Sequence, residues 1–188
     1  MPVKKTLSFV TNNEEKMKDI QQMAKEKIQI AFISDIELFE IQSLSVEEVA
    51  SSKAKQAFEK LQKPVAVSDS GLEIPVLDNF PGALVKYVNE TIGQKGIIKL
   101  LNGKKDRRAF FVAVIAYCDD FLEPKIFSER DEGTIADQPR GVGWHFDRIF
   151  IPKGSSNTWA EIGREKKNEN SAFRRALEKM INRLTKEE

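Results

Sequence analysis

Six charged residues stand at the ends of the elements this sequence implies: the carboxylates Glu40 and Asp69, and the lysines Lys16, Lys53, Lys86 and Lys167. Two carboxylates with lysines beside them suit a divalent cation and a polyphosphate, because Mg²⁺ is commonly held by one or two carboxylates together with substrate oxygens. Spacing alone does not bring the six together, and the ordinary reading of each taken singly is a solvated surface charge. Other chemistries are closed off. There is no Gly-x4-Gly-Lys phosphate loop and no Gly-x-Gly-x-x-Gly fingerprint. A single cysteine, Cys118, excludes an internal disulfide and a multi-cysteine zinc site, and a single histidine, His145, excludes a paired-histidine metal site. A Ser-His-Asp triad would have to use His145, and no Gly-x-Ser-x-Gly elbow accompanies it.

The chain that must position these residues has 188 of them, 40% hydrophobic and 31% charged, which suits one globular domain or two small lobes sharing a cleft. With 30 Lys+Arg against 29 Asp+Glu the formal charge is +1. That balance argues against a general binder of nucleic acid or anionic membrane, so any basic site must be local. The longest apolar stretch, Ala109 to Cys118, is far short of the ~20 residues a spanning helix needs. The first residues lack a signal-peptide apolar region and cleavage site, so a cytoplasmic, reducing location is the expectation.

Thr6 to Val10 reads as a strand, Thr11-Asn12-Asn13 as a cap, and Glu14 onward as a helix with Met17, Ile20 and Met23 on one face. Ile28 to Ile33 and Ile36 to Ile41 read as two extended runs parted at Ser34-Asp35. Ser45 and Glu48 have capping-box spacing, and they open a helix whose apolar face carries Val46, Val49, Ala50, Ala54, Ala57, Phe58 and Leu61. Lys53 falls inside that apolar arc. Either its stem snorkels to water or its charge meets a partner in a cleft, and position alone favours snorkelling.

Val65-Ala66-Val67 reads as a buried strand ending in a turn at Ser68-Asp69-Ser70-Gly71, where the glycine permits the turn. Asp69 then lies at a strand's C-terminal end, where ligands of open α/β sheets gather, or is an ordinary turn residue. Shorter helices follow from Phe80-Pro81-Gly82 to about Asn89 and from Ile92 to Leu101. Arg108 to Tyr117 and Glu123 to Ile135 form a long hairpin, and Pro139 to Asp147 is a Gly-punctuated loop. Ile149-Phe150-Ile151 is a short strand, and a helix from about Asn170 to Leu184 closes the chain.

Seven stretches, in order, carry a resemblance. They are Phe9-Val10-Thr11-Asn12-Asn13-x-x-Lys16, Glu47-Glu48-Val49-Ala50-x-x-Lys53-Ala54, Ser68-Asp69-Ser70-Gly71-Leu72-Glu73, Phe80-Pro81-Gly82, Pro139-Arg140-Gly141, Phe146-Asp147-x-Ile149-Phe150-x-Pro152 and Thr158-Trp159-Ala160-Glu161. Together they resemble the inosine triphosphate pyrophosphatase family over nearly the whole chain. The resemblance implies a mixed α/β fold spanning residues 1–188 as one domain, with an elongated mixed sheet flanked by helices and two lobes around a nucleotide-binding cleft. It also implies a homodimer and a house-cleaning, Mg²⁺-dependent hydrolysis of ITP, dITP and XTP to nucleoside monophosphate and pyrophosphate.

Carried over by residue, the resemblance makes Thr11, Asn13, Lys16 and Lys86 phosphate-binding, Glu40 and Asp69 metal-binding, and Asp69 and Lys53 catalytic. Asp69 would bind Mg²⁺ or orient and deprotonate the attacking water. Trp144 would stack on the base, with Asp147, Lys167 and Ser171 around its edge. A phosphate role for Lys53 accounts for a lysine in an apolar stripe better than snorkelling does. Glu14 and Glu15 must point away from any phosphate.

The chain departs from the family at three places. Thr11-Asn12-Asn13 stands for Thr-Gly-Asn, and Ser68-Asp69 stands for a pair of acids. Ser171-Ala172-Phe173 stands for Ser-His-Arg, whose His and Arg contact a 6-oxo purine. Ala and Phe supply neither hydrogen bond, so His145 or Arg174 is the candidate replacement. The alternatives this opens are the same chemistry with altered or broad base choice, or a non-catalytic nucleotide-binding relic.

Overall fold

Side-chain alternation along two central strands sets the layers. The computed structural model describes residues 6–24, 27–120 and 123–186. Its strands are β1 (Thr6–Val10), β2 (Gln29–Ile33), β3 (Val65–Glu73), β4 (Arg108–Cys118), β5 (Lys125–Ile135) and β6 (Phe150–Pro152). They form one sheet in the order β2-β1-β3-β4-β5-β6, parallel from β2 to β3 and antiparallel from β3 to β6. On β3 and β4, Val65, Val67, Val112, Val114, Ala116 and Cys118 face the helix α2 (Val46–Leu61) and pack on Val46, Ala50, Ala54, Ala57 and Phe58. The alternate residues Ala66, Ile115 and Tyr117 face the other way. They pack on Ile20 and Ala24 of α1 (Glu14–Ala24), and on Ala176, Leu177, Met180, Ile181 and Leu184 of α7 (Ala172–Lys186). Period-2 strands between period-3.6 helical stripes give this three-layer arrangement.

A third core cluster forms at the far end of the long strands. Leu72, Ile74, Ala109, Ile135 and Phe150 pack there with Val88 of α3 (Val85–Glu90), Ile97 of α4 (Gly93–Leu100) and Phe146 of the 3-10 turn His145–Arg148. Two short helices, α5 (Trp159–Ile162) and α6 (Arg164–Asn168), precede α7. Among the described residues no helix is long and apolar enough to cross a membrane.

Two expectations are corrected. Residues 36–41 are not a strand. Side chains of α2 take up their backbone instead: Gln56 Nε2 donates to the Phe39 carbonyl and the Phe39 amide donates to Gln56 Oε1, both at 2.9 Å, while Lys60 Nζ donates to the Glu37 carbonyl at 2.6 Å. Nor does β3 end at Asp69. The strand runs through to Glu73, with Asp69 opposite Val114 of β4. Gly71 makes no turn; a Cβ there would lie 2.7 Å from the Gly82 carbonyl oxygen, so glycine serves close packing.

On the opposite edge of β3, pairing with β1 stops at Val67, and that edge is bonded again only at the isolated bridge where Leu72 and Gly82 exchange backbone hydrogen bonds. Ser68 to Gly71 lie between, with no described strand beside them on that edge. The sheet is split there, and the split is where the cleft opens.

Candidate active site

The cleft measures about 590 Å³ and draws its walls from both ends of the molecule: Val10 and Val67 from the parallel part, Phe111 and Phe146 from the third cluster. Its floor follows from strand parity. Asp69 shares the α2 face with Val65 and Val67, and Ser68 shares the α1 face with Ala66. Lys53 of α2 accordingly meets Asp69, Nζ to Oδ2 at 3.1 Å, and also Glu40 Oε1 at 2.8 Å. Lys16 of α1 reaches the same strand from the other face, Nζ to Ser68 Oγ at 3.3 Å. The second Asp69 oxygen accepts from the Ser70 amide at 2.8 Å. Of the two readings of Lys53, the partnered cleft is the one observed.

The two lysines differ electrically. Burial works against the charge on Lys53, but Asp69 and Glu40 together outweigh it and raise its pKa above the ordinary lysine value. The Lys53 hydrogen bond holds Glu40 below the usual carboxylate value, against the opposing effect of burial, with Lys53, Lys86 and Lys16 adding attraction. Lys16 goes the other way: burial lowers its pKa, the pull of Asp69 offsets only part of this, and Lys53 repels it. A bound anion would supply the compensation that Lys16 lacks.

At the mouth of α1 the cap forms as the sequence implies. Asn13 Oδ1 accepts from the Lys16 amide at 3.0 Å and Thr11 Oγ1 accepts from the Asn13 amide at 3.1 Å. Thr11, Asn13 and Lys16 all line the cleft, with the start of the helix at their centre. Glu15 pairs with Arg164 and so turns from the cleft. Lys86 lines the cleft and is exposed.

Trp144 lines the opposite wall, 54% exposed. Asp147 and Lys167 do not line the cleft. They saturate each other, with Lys167 Nζ at 2.7 and 2.8 Å from the two Asp147 oxygens and 4.9 Å from the ring centre of Phe111, which does line it. Ser171 is buried away from the cleft wall, and its Oγ accepts from the Arg174 amide at 3.2 Å. Ala172 is buried, and Phe173 packs against the α1/α7 core with Lys16 Nζ 5.8 Å above its ring. Arg174 is held by Glu178 at 2.9 Å, which leaves His145 as the candidate replacement that lines the cleft.

Sequence reasoning missed the wall made by Ser34, Ile36, Glu37 and Leu38, and the contributions of Asn89 and Glu90. It also missed α5, although Thr158 and Glu161 form a capping box whose spacing is visible in the sequence. That box supports the loop before the His145–Arg148 turn, since Thr158 Oγ1 donates to the Arg140 carbonyl at 3.3 Å.

A split mixed sheet with two carboxylates and three lysines gathered at the split defines an α/β cleft protein built for an anionic ligand. The chain belongs to the Ham1 family, whose model matches residues 7–183. It is 42% identical over 173 residues to a dITP/XTP pyrophosphatase of Methanopyrus kandleri, covering 91% of this chain and 92% of that one. It is 41% identical over 179 residues to a dITP/XTP pyrophosphatase of Thermococcus kodakarensis, covering 95% and 96%. The Staphylococcus aureus Ham1 protein superposes with a TM-score of 0.84 at 32% identity, over 98% of this chain and 100% of that one. A Ham1 protein from Coxiella burnetii gives 0.87 at 27% identity, over 97% and 99%.

Proposed function

We propose that this cleft hydrolyses non-standard purine nucleoside triphosphates, dITP, ITP and XTP, to the monophosphate and pyrophosphate. The observation that carries the reading is the row Glu40–Lys53–Asp69 with Lys16 Nζ 3.3 Å from Ser68 Oγ beside it, at the mouth of the capped helix α1. The similarity to two dITP/XTP pyrophosphatases over more than nine-tenths of the chain supports the substrate class.

The donor set fits a divalent cation. Among the described residues no three His, Cys, Asp or Glu side chains gather to hold a metal unaided. Two hard carboxylates on either side of one ammonium suit Mg²⁺, which keeps waters and substrate oxygens in its shell. Glu40 and Asp69 would hold it. When bound, such an ion neutralises phosphate charge and lowers the pKa of a coordinated water.

The chain's own residues do the rest. Lys16 and the amide end of α1 bind phosphate oxygens, with Thr11 and Asn13 fixing the geometry of that turn. Lys86 adds charge from α3. Lys53, locked as a cation, balances charge on the phosphates and positions both carboxylates. Asp69 orients the attacking water and takes its proton. Trp144 offers the base a flat face, and the Asp147–Lys167 pair props the wall behind Phe111. A cytoplasmic homodimer belongs to the same proposal, and sedimentation of the purified chain tests its oligomeric part.

Initial rates with Mg²⁺ for dITP, XTP, dGTP, dATP and dUTP test the substrate class. The proposal expects dITP and XTP to lead, and equal rates for all five would contradict it.

A further inference from the structure

The wall that faces the phosphate cluster carries His145, the candidate replacement that lines the cleft. His145 sits at φ +37°, in the left-handed region that non-glycine residues enter at a cost of order 1 kcal/mol or more. Nothing about the turn itself calls for a side chain there. Glycine would adopt that backbone without strain and would leave the 3-10 turn His145–Arg148 intact. Yet the imidazole lines the cleft, half-buried, its ring centre 4.2 Å from that of Trp144 at 59° between planes.

The two rings lie together on the cleft wall, an exposed indole and, inclined to it, a half-buried imidazole. The histidine is held firmly. Gln94 of α4 donates to the His145 carbonyl, and the next side chain, Phe146, is buried in the third core cluster. A strained backbone fixed from both sides that sets an imidazole beside an exposed aromatic in the cleft wall suits recognition of a flat heteroaromatic ligand.

We propose that His145 is a specificity-determining residue of this cleft, its imidazole N–H donating to the 6-oxo group of a purine stacked on Trp144. The inference rests on the functional reading above and deepens it. Burial lowers the imidazole pKa below the ordinary histidine value, against the attraction of Asp147 and Glu90, and so favours the neutral ring. A neutral imidazole has one donor and one acceptor nitrogen. A donor facing a 6-oxo oxygen is satisfied, whereas one facing a 6-amino group meets another donor and is left unpaired. The side chains of Ala172 and Phe173 cannot hydrogen-bond, and Arg174 is held by Glu178, so neither alternative supplies this contact.

The test compares the full-length protein with His145→Gly and His145→Asn, measuring kcat/KM for dITP and for dATP with Mg²⁺. Equilibrium binding of the same two nucleotides is measured with divalent ions chelated. Glycine removes the donor and the strain together, so the variant folds with a thermal midpoint at or above that of the parent. The dITP/dATP ratio falls about threefold to tenfold in both assays, the size of one hydrogen bond. Asparagine tolerates the left-handed backbone and carries an amide donor, and it restores most of the ratio. An unchanged or increased ratio in His145→Gly overturns the assignment. Should the parent release pyrophosphate from neither nucleotide, the functional reading fails and the binding ratio judges His145 by the same criterion. Binding of neither nucleotide overturns both.

Discussion

Lys53 Nζ lies 3.1 Å from Asp69 Oδ2, across the join between α2 and β3 at the split in the sheet, with both side chains 17% exposed. Asp69 faces α2 because alternation along β3 puts it on the same face as Val65 and Val67, and because the strand, paired with β4, continues past Val67 to carry it there. The pair anchors the first prediction. Asp69→Asn keeps the shape and the Ser70 contact while removing the charge. Turnover of dITP falls at least about a hundredfold, the lower end of what a general base contributes. Far-UV circular dichroism stays unchanged. A variant with near-normal turnover would remove Asp69 from the chemistry.

Lys16 carries a charge that burial disfavours and that the attraction of Asp69 and Glu40 offsets only in part. Lys16→Met therefore raises the stability of the free protein, by about the 0.5–2 kcal/mol usual for a single stabilising substitution. It also weakens triphosphate binding. Denaturant unfolding and a binding titration on the same preparation check the two signs. Loss of stability together with unchanged affinity would contradict the account.

Gln56 stands outside the cleft lining but clamps the backbone of Phe39 next to Glu40 through two hydrogen bonds of 2.9 Å. Gln56→Ala frees the segment that presents Glu40. The expected signature is a higher Mg²⁺ concentration for half-maximal rate, with kcat recovered at saturating metal, whereas Glu40→Gln loses rate at all concentrations. A Gln56→Ala profile identical to the parent would show that the clamp does not govern Glu40.

The pH dependence of folding has a definite sign at Glu40. Its carboxyl titrates below the ordinary value of 4.5 in the folded state, so its contribution to stability is present above that value. The contribution is lost as pH falls through the lowered folded value. Comparing the parent with Glu40→Gln from pH 7 down to pH 3, the stability gap is constant at first and narrows below about pH 4.5. A gap that widened toward acid would reverse the assignment.

Much of the fold is legible in the sequence where periodicity is long. The apolar stripe of α2 and the paired runs of β4 and β5 extend over 16 and 11 residues, enough to fix both type and face. Residues 36–41 mislead because their alternation resembles a strand, whereas α2 side chains distant in sequence take up their backbone. The capping box before α5 is visible as Thr158-x-x-Glu161, but four helical residues carry no periodic signal.

At the site, the residue types suggest carboxylates and lysines around a phosphate, while their convergence is a property of the sheet. Lys16 and Lys53 approach β3 from opposite faces, through Ser68 and Asp69, and only the gap in pairing between Val67 and Leu72 opens both to one cleft. Ser45 shows the same limit on a smaller scale. Its Oγ accepts from the Glu48 amide as the box predicts, but the Glu48 carboxylate bonds Ser43 Oγ at 2.6 Å, so the reciprocal half is absent.

The aromatic wall offers an optical prediction. The chain has two tryptophans, Trp144 in the cleft and Trp159 packed against the third core cluster. Nucleotide binding quenches the fluorescence of Trp159→Phe as strongly as that of the parent, and Trp144→Phe loses the quench. The opposite pattern would place the base elsewhere.

Hydrolysis at the Glu40–Lys53–Asp69 row breaks the bond between the α and β phosphates in the function proposed for this cleft. Its most direct test is product identity: dITP is incubated with the protein and Mg²⁺, and dIMP with pyrophosphate is resolved from dIDP with phosphate, alongside Asp69→Asn. The parent is expected to give dIMP and pyrophosphate in equal amounts, and the variant at most about a hundredth of either. Release of dIDP and phosphate, or equal product from both proteins, would contradict the proposed function.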